Sequence, residues 1–485
     1  MTRRLLLAAL ALAALAACTA PPTANPPATT AIPAAWRSPL PHGGSTAALS
    51  AWWQAFEDPQ LARLVERAQG QSPTLAQAAA RRRQAEAGAA QARAALLPEL
   101  SVNAQAQRGR NLNAMPGMST QGSAQFNASW EIDLFGGQRA AAAAQSAQAT
   151  AASADWHAAR VSLAADVASA YVQLRLAQAR EESAELDLRF AEQIAGWARQ
   201  QQVAGLLSAT DAAILNTERA IASANRSQWR AEAQIALQTL ALLCGERAEA
   251  LAADLAPPAV ASEGLTLRRS QPQAPAFDVA AQGSLPAQLL AQRPDLAAAH
   301  QRWLAAAHQQ RSVEAQRWPQ LSLAALAGET RLRVGGGTSS GSLWAFGPSL
   351  SLPLFDGGLR AARSQGAEAA AEEAAAALQA QWQTAVAEVE EALQRVNAGA
   401  EREREVDAVK REWEGIARRT GAQAQAGLQS GTQRNATFRN ALAAYDAVLT
   451  VRAEQSLAWI RLYRSLGGGW TGDALKNTNT AAVAR

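Results

Sequence analysis

Ala124-Gln125-Phe126-Asn127-Ala128-Ser129-Trp130-Glu131-Ile132-Asp133-Leu134 decides the fold. Its apolar residues occupy every second position, and amides, a hydroxyl and carboxylates fill the others. A period of two marks a β-strand with one apolar and one polar face. Upstream, Leu100, Val102, Ala104 and Ala106 alternate with Ser101, Asn103, Gln105 and Gln107, which supplies a partner strand. The residues between, Gly109 to Gly122, read as a polar loop, so 98–135 is a hairpin. Phe126, Trp130, Ile132 and Leu134 then share one face; Gln125, Asn127, Glu131 and Asp133 share the other. Such a strand pair fits the wall of a membrane β-barrel, with lipid against the first set and a wet lumen against the second.

The hairpin occurs twice. Pro73, Pro98 and Gly136-Gly137 recur 221 residues later as Pro294, Pro319 and Gly357-Gly358, and Ala204-Gly205-Leu206 recurs at 222 as Ala426-Gly427-Leu428. The chain is therefore a duplication, with a first repeat over 51–250, a connector over 251–285 and a second repeat over 286–470. In the second hairpin, 319–355, Leu321, Leu323, Ala325 and Ala327 keep one parity, whereas Thr330, Leu332 and Val334 keep the other. That switch predicts a β-bulge near Leu326. Trp344 and Phe346 continue the apolar face. Pro348 and Pro353 predict locally weak pairing in this strand. Gly335-Gly336-Gly337-Thr338 lacks the lysine of a phosphate loop and reads as the hairpin turn.

Each hairpin leads through a Gly-Gly corner into a long proline-free stretch, Gln138 to about Val203 and Leu359 to about Ala426. At 1.5 Å per residue, a helix of this length runs about 100 Å. Leu163, Val167, Ala170, Tyr171 and Leu174 form an apolar stripe at helical spacing. Alanine dominates elsewhere and aromatics make up only 5% of the residues, which suits close packing of long helices. The fold class is thus mainly α with a membrane β-barrel. Four strands cannot close a barrel, and open edges are forbidden in lipid. Three copies would give twelve.

The chain starts with Arg3-Arg4 and an apolar run, Leu5–Ala17, too short to span a bilayer and suited to an export signal over 1–17. Leu15-Ala16-Ala17-Cys18 resembles a bacterial lipobox, in which Cys18 becomes the acylated first residue of the mature chain. Thr19 is not acidic, which by the same resemblance favours the outer membrane. The Pro-rich segment 18–50 reads as a tether and 471–485 as a tail. Cys244 then has no partner and reads as a buried structural thiol.

Five motifs carry a family resemblance: Trp52-Trp53-Gln54-Ala55-Phe56-Glu57-Asp58-Pro59-Gln60-Leu61, Ser129-Trp130-Glu131-Ile132-Asp133-Leu134-Phe135-Gly136, Arg293-Pro294-Asp295-Leu296, Pro353-Leu354-Phe355-Asp356-Gly357-Gly358 and Tyr463-Arg464-Ser465-Leu466-Gly467-Gly468-Gly469-Trp470. In this order they resemble the TolC-like outer-membrane efflux proteins, in particular the NodT-type lipoprotein branch. The resemblance implies a homotrimer in outer-membrane lipid, with a twelve-stranded barrel continued by a periplasmic helical tunnel. It also implies a periplasmic adaptor and an inner-membrane transporter as partners, and a tunnel that closes at the helix tips, here Gln201–Asp211 and Gln423–Asn435. The second tip lacks a carboxylate, which sets it apart from many members. Asp211, Gln429, Gln433 and Arg434 are the candidate gate residues.

Other function classes find little support. His42, His157, His300 and His308 have no metal-ligand spacing, no catalytic constellation is present, and no cofactor is expected beyond the acyl chains on Cys18. The net charge of +4 is spread along the chain, which gives no footprint for nucleic acid. The competing reading is a periplasmic structural or adaptor coiled-coil lipoprotein. That reading leaves the two hairpins unexplained.

Overall fold

The computed structural model describes residues 53–54, 56, 58–110, 118–255, 293–334 and 337–468. The export signal, Cys18, the tether, most of the connector and the tail lie outside them. Two compact units emerge. Among described residues, the first takes 81–153 and 298–381; the second takes those up to 80, together with 154–297 and 382–468.

The elements in order are α1 (Pro59–Gln71), α2 (Pro73–Ala94), β1 (Glu99–Arg110), β2 (Met118–Ile132), α3 (Gly137–Val203), α4 (Ala209–Cys244), α5 (Ala248–Asp254), α6 (Pro294–Ala315), β3 (Gln320–Val334), β4 (Gly337–Ser351), α7 (Leu359–Gln425) and α8 (Gly431–Ser465). The duplication is visible element by element. Helices α2 and α6 both have 22 residues, and α3 and α7 both have 67. Helix α5 covers the first residues of the segment read as a connector.

The first unit holds one antiparallel sheet in the order β1-β2-β3-β4. Both hairpins are longer than the alternation predicts. The ladder joins Arg110 to Met118, so strand continues into residues assigned above to the loop. The bulge expected near Leu326 is absent: β2 and β3 pair one to one from Ser119↔Val334 to Ile132↔Leu321, and β3 and β4 from Gln320↔Ser351 to Val334↔Gly337. Apolar character switches faces at Glu329 with no extra residue: the side chains change and the backbone ladder does not. Pro348 of β4 sits in register with Leu323, so the β3–β4 ladder runs through it without a break. Pro353 lies past the strand. The sheet coils tightly at Gly328, where a Cβ would collide with the Ala124 carbonyl oxygen and the Gln125 Cα of β2. Among the helices of this unit the buried positions are mostly alanine, including Ala89, Ala142, Ala144, Ala147 and Ala151.

The second unit has the aliphatic core. Leu61, Leu64, Val65 and Ala68 of α1 pack with Leu240 and Cys244 of α4, Val389, Leu393 and Val396 of α7, and Trp459, Ile460 and Leu462 of α8. The predicted stripe Leu163, Val167, Ala170, Tyr171 and Leu174 is wholly buried. Two of the sequence motifs turn out to be joints of this core. In the first, Asp58 caps α1 by accepting from the Gln60 and Leu61 amides (2.9 and 3.4 Å), and Pro59 takes the first helical turn, where it needs no donor. The second carboxylate oxygen of Asp58 accepts from the Tyr171 hydroxyl at 2.5 Å. Burial and that bond push the Tyr171 phenol well above its ordinary pKa. In the second, the buried Arg293 donates to the Ser465 carbonyl (2.9 Å), Glu388 (2.8 Å) and Asp295 (2.7 Å), fastening the start of α6 to α7 and to the end of α8.

Candidate functional site

The register sorts the sheet into two faces. On one face, Val102, Phe126, Ala327 and Trp344 form a row across the four strands, and Leu100, Ala128, Ala325 and Phe346 form the next. Trp130, Leu323 and Pro348 follow, then Ile132, Leu321 and Leu350. This apolar band covers the seven residues of β2 from Phe126 to Ile132, and the small residues Ala104 and Ala124 extend it to nine on β1 and β2, close to the length of about 9–11 residues that a tilted strand needs to cross a bilayer. In the opposite direction the same face turns charged: Glu329, Arg331 and Arg333 on β3, and Arg108 and Arg110 on β1.

The other face carries Ser101, Asn103, Gln105 and Gln107 of β1 and Gln121, Gln125, Asn127, Ser129 and Glu131 of β2. On β3 and β4 it is lined by small or aliphatic residues such as Ala324, Gly328, Thr330, Ser339 and Gly347. Large apolar side chains on the apolar face stay open: Trp344 is 78% and Phe346 73% exposed, and Leu100, Val102 and Phe126 are exposed too, whereas Gln125, Asn127 and Glu131 of the polar face of β2 are half-buried. A soluble protein does not leave so contiguous an apolar surface uncovered.

Two of the residues assigned to the strand faces need correction. Strand β2 ends at Ile132, so Asp133 and Leu134 are not on the ladder. Asp133 instead accepts from the Gln138 amide (3.2 Å) and from the Arg139 amide and Nε (2.9 and 3.0 Å), closing the open N-terminus of α3. Leu134 sits in the turn, exposed. Glu131 stays on the polar face and accepts from the Gln138 side chain at 3.2 Å. The Trp130 indole donates to the Leu96 carbonyl at 3.0 Å, which anchors the polar end of its ring where the strand meets the helices. Phe135 stacks on Trp318 with centroids 5.6 Å apart, a contact between the two repeats.

The two helix tips have the same construction. Gly205 and Gly427 both have φ of 72° and end α3 and α7 in Schellman caps: Leu206 donates to Gln201 and Leu428 to Gln423, each at 2.8 Å. Ser208 and Ser430 cap the returning helices by accepting from the Asp211 and Gln433 amides. Asp211 is exposed, and its carboxylate accepts from the Ser208 hydroxyl at 2.7 Å. Gln429 and Gln433 are also exposed. Arg434 is half-buried, its guanidinium 5.0 Å from the centre of the Phe190 ring, and Phe190 stacks on Phe438 at 4.0 Å. Arg434 and Asp211 thus serve separate partners and do not pair with each other.

Sequence reading missed the polar ladder behind the tips. Arg180 donates to Asp446 (2.7 Å) and Thr450 (2.7 Å), and seven residues along each helix Arg439 pairs back to Asp187 (3.4 Å). Asn435 donates to Glu218 of α4 at 2.6 Å, and Arg439 approaches the same carboxylate at 3.7 Å. The ladder ties α8 to both α3 and α4. Its sequence signal is an Arg–Asp pair one heptad apart on each helix in opposite order (Arg180/Asp187 and Arg439/Asp446), which is charge-complementary only when the helices run antiparallel.

A model of the family described as "Outer membrane efflux protein" matches residues 64–246 and again 285–468, one match per repeat. The chain belongs to the outer membrane efflux protein family. This efflux protein is 30% identical over 501 residues to the pyoverdine export outer membrane protein OpmQ of Pseudomonas putida, covering 98% of this chain and 99% of that one. It is 29% identical to Nodulation protein T of Rhizobium leguminosarum bv. viciae, covering 78% and 76% of the two chains. Among solved structures, the outer-membrane channel OprN superposes with a TM-score of 0.74 at 28% identity, covering 93% of this chain and 99% of that chain. The efflux protein is accordingly an outer-membrane channel, the exit duct of an efflux system.

Proposed function

We propose that three copies of the chain close into one twelve-stranded barrel in the outer membrane, continued by a helical tunnel in the periplasm, and that this duct passively conducts cargo delivered by an inner-membrane transporter through a periplasmic adaptor. One observation carries the reading: the apolar face of the sheet leaves large side chains such as Phe126, Trp344 and Phe346 exposed, and β1 and β4 are both unpaired edges among the described residues. Lipid is the solvent that favours such a face, and lipid forbids such edges. Two copies give eight strands, whose interior side chains fill; three leave a wet lumen.

The duplication supports closure by sister copies. Contacts from repeat 1 to repeat 2 already exist within the chain, as β2 against β3, Phe135 on Trp318 and α3 against α8. Residues at the corresponding corners on the other side lie open: Phe355, beside Asp356 at the position equivalent to Phe135, is 92% exposed, and Leu97, the counterpart of Trp318, is 67% exposed. In the closed ring Phe126, Trp130, Ile132, Trp344 and Phe346 meet lipid, and Gln125, Asn127 and Glu131 meet water. Acyl chains on Cys18 add the anchor, and the tip around Asp211, Gln429, Gln433 and Arg434 forms the constriction. Nothing in this reading calls on catalysis, a cofactor or nucleic acid. Cell fractionation with gel migration before and after heating tests it: an outer-membrane band that shifts from trimer to monomer is expected, and a soluble monomer refutes it.

A further inference from the structure

We infer that Arg108, Arg110, Arg331 and Arg333 form a binding site for the phosphorylated headgroup of an outer-leaflet lipid. The inference rests on the reading that the apolar face lies in lipid with the hairpin ends outward. The register puts Arg108, Thr120, Arg333 and Thr338 in one row across the sheet, and Ala106, Gly122, Arg331 and Ser340 in the row below. Arg108 and Arg333 are two strands apart, about 10 Å, and Arg331 lies about 7 Å along the strand from Arg333. Thr120, Gly122 and Ser340 make a low floor between them. All four arginines are on the face that bears Phe126 and Trp344, just beyond the apolar band, and the opposite face carries no cation at this level among described residues.

This placement separates the patch from an ordinary solvated loop end, where charge would fall on both faces. The four side chains are exposed and make no ion pair with any described residue; Glu329, one row nearer the band, is the only acid on the face. Four guanidiniums at the level where hydrocarbon gives way to headgroups match a lipid bearing more than one phosphate, because each planar fork takes two phosphate oxygens. Long arginine stems also reach outward from a low-dielectric surface to charged headgroups.

The test counts lipid on the intact detergent-solubilised oligomer by native mass spectrometry. Bisphosphorylated lipid A, fully dephosphorylated lipid A and inorganic phosphate are offered to the wild type, to R331Q and R333Q singly, and to R108Q/R110Q/R331Q/R333Q. The wild type should prefer the phosphorylated lipid, with a preference that weakens as salt rises. Each neutralised arginine should cost about fivefold in that preference, and the quadruple variant should lose it while the oligomer and its conductance persist. Equal retention of both lipids by the wild type, or an unchanged preference in all three variants, overturns the site. Displacement of the lipid by millimolar inorganic phosphate assigns the patch to free anions and likewise overturns it. Should the quadruple variant fail to assemble, the single variants and the salt series on the wild type decide. An arginine placed in the apolar band tests the lipid-facing reading separately: if that arginine is costly and lipid A selectivity is absent, only the headgroup site falls.

Discussion

Ala128→Arg is the most direct probe of the fold in its membrane. Ala128 sits in the row Leu100–Ala128–Ala325–Phe346, on the face that we assign to lipid. It lies six residues along β2 from Gly122, which shares its row with Arg331. Six residues span about 20 Å, and a strand tilted by about 40° converts that into about 15 Å of depth. That depth is half of a hydrocarbon core about 30 Å thick, so Ala128 falls near the midplane. Arginine there should cost about 2–4 kcal/mol per chain, roughly a 30- to 700-fold shift in the folding equilibrium. Ser129→Arg, one residue on and across the sheet, faces the lumen and should cost little. Ala106→Arg, in the row of the native Arg331, should cost about 0–1 kcal/mol. Urea titrations of folding into lipid vesicles, followed by the heat-modifiable band, measure all three. If Ala128→Arg and Ser129→Arg agree within about 0.5 kcal/mol, the two faces have been assigned wrongly and the barrel reading fails with them.

Four further outcomes follow from particular contacts. Arg293→Ala should destabilise the second unit by about 2–4 kcal/mol, read as a lowered thermal midpoint, and Arg293→Lys should restore only part of it because a compact ammonium cannot keep the two-pronged grip on Asp295 while reaching Glu388 and the Ser465 carbonyl. Leu97→Ala and Phe355→Ala should lower the temperature at which the trimer dissociates, because both apolar side chains lie open in one chain and a sister copy would cover them; no effect from either removes this pair from the interface. Arg434→Ala should change single-channel conductance by freeing Phe190 and Phe438, and an unchanged conductance and ion selectivity would take Arg434 out of the gate. Burial, with Glu246 nearby, pushes the Cys244 thiol up to about 11, so roughly one molecule in ten thousand is thiolate at neutral pH. Iodoacetamide should therefore label it only in denaturant, and rapid labelling of the native protein would contradict its burial.

Strand alternation and the offset repeats were legible because both are local or periodic. Phe126 and Asn127 are assigned to opposite faces by adjacency alone, and Gly205 and Gly427 announce the two helix ends because a Schellman cap favours glycine at positive φ. The bulge expected near Leu326 had a different cause. Periodicity reports which side of a strand is apolar, but a change of apolar side at Glu329 along an unbroken ladder imitates an extra residue. Asp133 misled for a related reason: alternation continues through it, yet the unsatisfied amides of α3 claim its carboxylate. The ladder of Arg180, Asp187, Arg439 and Asp446 was hidden because interspersed charge on a long helix looks solvated until its partner helix is known.

By itself, then, the order of residues determined the element types, the duplication, the two-faced hairpins and the need for sister copies, since all of these follow from short-range periodicity and from the satisfaction of backbone hydrogen bonds. Tertiary structure alone decided the register of β2 on β3, the gathering of Arg108, Arg110, Arg331 and Arg333 on the apolar side, and the bonds that Asp58, Arg293 and Arg434 make. Those depend on residues far apart in the chain meeting in space, as Asp58 meets Tyr171, Arg293 meets Ser465 and Arg434 meets Phe190, and no local pattern carries that distance.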